Sequence, residues 1–265
     1  MSVDAALAAA ATLVATAFAC LTGERWLARR RRYDRAWTIS LALFALASLA
    51  LWLGAARGWT VAEFKAFYLF GAVLNVPWLA LGTIELLAGP RAGRLVSTTL
   101  VALSGFAAGV IIEAPTRAAV PLDGLPEGRR VFGVLPRVLA AVCSGGAATV
   151  LVVGALWSAW RLWQGRPRTD AAGPSPHAPD APSRQLVLAN TLIAVGTLVL
   201  GASGTLSGRI GARRAFAITL LVGIVILFAG FGLASVRSTA TKPLAWLGDP
   251  LPQNAPEQLA AESLR

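Results

Sequence analysis

A bundle of seven membrane-spanning helices is the fold the sequence predicts, and three observations predict it. Of 265 residues, 56% are hydrophobic and only 14% charged, whereas soluble domains carry about 25% charged residues. The mean hydropathy is +0.64. The apolar residues arrive in long unbroken runs, and a helix crossing a bilayer takes roughly 20 such residues. None of the runs alternates apolar and polar residues as a barrel strand would. An all-α polytopic membrane protein follows, with spans expected at about 5–21, 36–56, 66–88, 95–112, 138–160, 186–206 and 215–236.

The first run is short and Ala-rich, and Arg25 to Arg35 in "GERWLARRRRYD" follow it directly. A cleaved signal peptide has its positive residues before the apolar core. Here Asp4 precedes the core and the arginines come after it, so the run reads as a retained span. A basic cluster at a span end holds its loop in the cytoplasm. The predicted orientation therefore has the N-terminus outside and the C-terminus cytoplasmic. It places fifteen of the 24 Lys and Arg inside and nine outside, with Arg209, Arg213 and Arg214 against the trend. Trp26, Trp37, Trp157, Trp160 and Trp163 then fall at inner boundaries and Trp52 and Trp59 at outer ones, as an aromatic belt would. The net charge of +11 is accounted for by this placement and does not imply nucleic acid.

The third run, "FYLFGAVLNVPWLALGTIELLAGP", is the unusual one. Tyr68, Gly71, Asn75, Trp78, Gly82 and Glu85 recur at intervals of three and four and share one helix face. Pro77 lacks an N–H and is expected to free the carbonyl of Val73. In the sixth run, Asn190, Ala194, Thr197, Gly201, Gly204 and Gly208 form a similar stripe. At 1.5 Å per residue, Asn75 and Thr197 fall within about 3 Å of their span centres, and Glu85 about 12 Å inward. Spans three and six are thus expected to face each other across matched polar rungs. Glu85 is near enough to the interface to reach toward Arg91 or Arg94.

Two connections are long. Residues 113–134 join spans four and five outside, and the Pro/Ala/Ser-rich 165–184 reads as a disordered cytoplasmic linker. Residues 237–265 form a cytoplasmic tail. No extramembrane segment can bury a core of its own, so residues 1–236 make one transmembrane domain. Spans one to three and five to seven can be laid over each other with span four as connector, a three-plus-one-plus-three arrangement of the kind found in transporters.

With the core "YLFGAVLNVPWLALGT" and 22 Arg against 2 Lys, the chain resembles uncharacterised seven-helix integral membrane proteins of high-GC bacteria. The resemblance covers under about a tenth of the chain and implies a bacterial plasma (inner) membrane, but no activity.

Chemistry is bounded mainly by what is missing. The single histidine, His177, lies in the linker, so bis-histidine haem and intramembrane zinc have no ligands. Lys65 and Lys242 lie at or beyond the membrane edges, against a retinal Schiff base. Cys20 and Cys143 are the only cysteines and suit no disulfide framework. There is no CxxC, HExxH, GxSxG or P-loop, and no cofactor or metal is expected. Two function classes stay open. One is a small-molecule or lipid transporter or receptor whose polar cavity is lined by Tyr68, Asn75, Trp78, Glu85, Asn190 and Thr197. The other is a noncatalytic accessory or scaffold subunit whose stripe is a helix-packing seam, with a membrane protein or a second copy as partner.

Overall fold

A computed structural model describes residues 3–116, 126–164, 184–206 and 213–236. The long helices are α1 (Val3–Arg29), α2 (Arg32–Arg57), α3 (Val61–Leu87), α4 (Gly89–Glu113), α5 (Val134–Gln164), α6 (Arg184–Leu206) and α7 (Arg213–Val236). No strand occurs among the described residues. Helices α1 to α5 are each long and apolar enough to cross a membrane; α6 and α7 carry shorter apolar stretches, Val187–Gly201 and Leu221–Gly230, among the described residues. Apolar helices of this length suit a lipid bilayer. The linker and tail lie outside the described residues.

The helices overrun the apolar runs. α1 continues through Arg25 to Arg29, because arginine is a good helix former once water solvates its head. It stops at Arg30, whose φ of 52° turns the chain tightly into α2. At the opposite end, Gly58 leaves the helical region at φ 89° while its N–H reaches the Gly54 carbonyl at 3.0 Å. Thr60 then opens α3 through a capping box. Its hydroxyl accepts from the Glu63 amide at 3.2 Å, and the Glu63 carboxylate accepts from the Thr60 amide at 3.0 Å. Gly89, at φ 82°, makes the turn between α3 and α4, and Pro90 sits in the first turn of α4, where its missing N–H costs nothing.

α3 is not a uniform α-helix. Tyr68–Leu74 is π-helical and the α register resumes at Asn75. In the π register each amide pairs five residues back, as Asn75 does with the Phe70 carbonyl. Pro77 interrupts that ladder where the register returns to four, and its i−5 carbonyl belongs to Ala72. The Ser144 hydroxyl of α5 donates to that Ala72 carbonyl at 2.6 Å. Val73 was the expected orphan. The π turn shifts the need for a partner by one residue.

α1, α2, α3, α5, α6 and α7 each pack on the next in that order, α7 packs back on α1, and α4 lies against α3 and α5. Phe18 of α1 stacks on Phe228 of α7 at the closing contact. α3 and α5 run parallel, since Ser144 meets Ala72 while Gly154 meets Thr83 and Leu87 further along both. The connection between α4 and α5 carries one helical turn, Gly128–Val131. Val131 and Phe132 are fully covered, and Phe132 packs against Phe64 and Tyr68 with ring centres 5.3 and 4.9 Å away.

Candidate functional site

Asn75, Trp78 and Glu85 of α3 are buried and Tyr68 is half-buried, but they do not converge on one neighbour. Asn75 and Glu85 are each 9% exposed. Asn75 pairs with α2: the Ser40 hydroxyl lies 2.7 Å from its Oδ1 and 3.0 Å from its carbonyl oxygen. Trp78 turns to α4, where its Nε1 donates to the Ser104 hydroxyl at 3.2 Å. Ser104 in turn donates to the Leu100 carbonyl of its own helix. Tyr68 stays toward the N-terminal end of α3 among Phe64, Phe132 and Gly128.

On α6 the outcome is parallel. Asn190 Nδ2 donates to Ser158 of α5 at 3.0 Å. The Thr197 hydroxyl donates to the Ile193 carbonyl within its own helix at 2.8 Å. The expected rungs between spans three and six are thus replaced. Asn75 is served by span two and Asn190 by span five, and α5 packs against both α3 and α6. Helices consecutive in the chain tend to pack as neighbours, and a serine at the right depth on the adjacent helix is the donor or acceptor closest to hand.

Glu85 also departs from expectation. Its side chain does not reach out to Arg91 or Arg94. It folds onto α4, where a Cβ at Gly93 would lie 2.5 Å from its Cγ. Without a side chain at Gly93, the glutamate stem has a slot to enter. Both carboxylate oxygens are covered and have no hydrogen-bond partner among the described residues. The positive charges acting on it come from Arg35 and Arg32 of α2. The Thr83 hydroxyl and Asn190 Oδ1 are likewise covered and unpartnered among the described residues.

Two glycines of the stripe work as contact points. The pyrrole edge of the Trp37 indole of α2 closes against Gly82, and any Cβ there would clash with its Nε1 and Cδ1. At Gly71 a Cβ would sit 3.2 Å from the Cβ of Ala47. Close approach of helix backbones through small residues is how membrane helices gain packing energy when lipid removes the hydrophobic drive.

The residues that sequence reasoning passed over are the serines: Ser40, Ser104, Ser144 and Ser158. Each sits among apolar neighbours in its helix and each serves a polar atom of a neighbouring helix. Their signal was present as isolated hydroxyls at the depths of Asn75, Trp78, Ala72 and Asn190. Pairing them required knowing which helices touch. Among the described residues no group of three or more His, Cys, Asp or Glu could hold a metal ion. No family model matches the chain, and no curated protein or solved structure is significantly similar to it.

Proposed function

We propose that the chain is a seven-span integral membrane protein of the bacterial plasma membrane that acts without catalysis, as a scaffold or accessory subunit, and that its polar stripe is a helix-packing seam. The observation that carries this reading is the fate of the stripe. Asn75, Trp78 and Asn190 each bond a serine on an adjacent helix, and Gly82 is filled by Trp37. Groups committed to neighbouring helices are poorly placed to bind a solute. A three-plus-one-plus-three plan is supported by the packing order, in which α4 stands beside the closed series formed by the other six helices.

A small-molecule or lipid transporter or receptor is the second reading. What favours it is Glu85, a buried carboxylate with no hydrogen-bond partner among the described residues, since ionisable residues inside a membrane often mark ligand or proton paths.

The two readings separate on four variants of the full chain compared in one mild detergent. A seam requires Gly71→Leu and Gly82→Leu to lose folded, monodisperse protein, with Asn75→Leu and Glu85→Gln close to native. Tolerated leucines at both glycines would sink the seam.

A further inference from the structure

The charged groups of the bundle are distributed unequally between its two ends. At the end where α2 finishes and α5 begins, several basic residues are occupied, although Arg137 is exposed and has no ion pair among the described residues. Arg57 pairs with Glu63 at 2.9 Å, and Arg129 and Arg130 pair with Glu127 at 3.1 and 3.4 Å. Lys65 caps α4 by donating to the Ile112 carbonyl at 2.7 Å. At the other end, Arg29, Arg30, Arg31 and Arg32 form the turn between α1 and α2, and Arg91 and Arg94 open α4. None of these six is ion-paired among the described residues, and all but the half-buried Arg29 are exposed.

The two groups lie at the same end of the bundle, because α2 and α3 run antiparallel and α3 turns into α4 at Gly89. Glu85, at this end of α3, packs on Gly93 of α4. Of the acids at this end among the described residues, Asp34 and Glu85 are 9% exposed and present almost no negative surface; Glu24 is exposed. Aromatic rings hold part of the basic turn in place. The Arg31 guanidinium donates to the Tyr33 hydroxyl at 2.6 Å, and Arg30 lies over the Trp26 ring at 5.9 Å. Arg91 and Arg94 are three residues apart, on one face of the first turn of α4, where the helix dipole adds positive potential.

We propose that this face binds the phosphodiester headgroups of anionic phospholipids. A guanidinium presents a planar fork of donors that matches two phosphate oxygens. Basic residues at the ends of membrane helices are attracted to anionic lipid by about fivefold in affinity for each residue near the surface. The arginines lie at a span boundary beside Trp26 and Tyr33, which is headgroup depth. The proposal rests on the membrane reading and not on the seam.

The test uses the full chain in a neutral detergent supplied with equimolar phosphatidylglycerol and phosphatidylcholine, with the lipid retained on the protein counted by native mass spectrometry. Phosphatidylglycerol should be enriched, and the enrichment should fall as salt is raised, because exposed charges are screened. Replacing Arg30, Arg31, Arg91 and Arg94 by Gln should remove most of it, by about fivefold for each residue. Arg57→Gln with Arg129→Gln at the far end should leave it intact. Equal retention of the two lipids by the native chain would overturn the proposal, and that measurement needs no variant. So would enrichment that survives the four substitutions, or that is lost equally in the far-end pair. Displacement of the lipid by inorganic phosphate at matched concentration would also overturn it, by showing a free-anion site instead.

Discussion

At Asn75 a single side chain meets a single hydroxyl, and the magnitude of that bond decides what a substitution does. Membrane side-chain hydrogen bonds average only about 0.6 kcal/mol. Asn75→Leu and Ser40→Ala should therefore each cost under about 1 kcal/mol, measured by reversible unfolding in mixed micelles, and the pair should cost little more than either alone. A loss well above that from Ser40→Ala would mean that its hydroxyl supports more than Asn75. Gly82 is the opposite case. The Trp37 indole occupies the space a side chain would need, and overfilling a packed site costs about 1–3 kcal/mol. Gly82→Leu should be the most damaging change in the stripe, and a near-native unfolding curve for it would show that Trp37 can swing away. Much of this stripe was legible beforehand, since the spacing of Asn75, Trp78, Gly82 and Glu85 already places them on one face. Their partners were not, because a serine in an apolar run carries no mark of which helix it faces.

Within α3 the register change and the proline form one unit with Ser144 of α5. Removing that hydroxyl leaves the Ala72 carbonyl without its donor, and an unsatisfied buried acceptor costs about 1–3 kcal/mol. Pro77→Ala restores an N–H at the position that pairs with Ala72 in the π register. The cost of Ser144→Ala should then shrink in the Pro77→Ala background, with a coupling of at least about 0.5 kcal/mol in a double-mutant cycle. Strict additivity would separate the proline from the serine. A second element-scale contact joins α6 to α7. A Cβ at Gly196 would lie 2.8 Å from the backbone nitrogen of Leu227, and backbone cannot step aside as a side chain can. Gly196→Ala should lower the melting temperature more than Gly71→Ala, where the obstacle is the Ala47 methyl. Equal melting temperatures would show that α6 and α7 slide freely.

For the whole molecule, orientation is the property that charge placement predicts and packing does not test. With the basic turn between α1 and α2 facing the cytoplasm, Ala172→Cys should be shielded from a membrane-impermeant thiol reagent in intact cells and Asp123→Cys should label. The reverse pattern would invert the chain and place the proposed lipid-binding face on the outer leaflet. By itself the sequence determined the all-helical class, the presence of long apolar helices and the sharing of one helix face by Asn75, Trp78, Gly82 and Glu85. Those properties follow from local terms, namely the length of an apolar run, helical periodicity and the cost of backbone groups in lipid. Which helices became neighbours was decided only in the tertiary structure. Asn75 went to α2 instead of span six, Glu85 folded onto Gly93 instead of reaching for Arg91 or Arg94, and Ala72 took the donor expected for Val73. The physical reason is that apolar helix faces are nearly interchangeable in lipid. Partner choice then rests on close approach at a few glycines, on isolated serines at matching depth, and on one register change that rotates half of α3 against the rest.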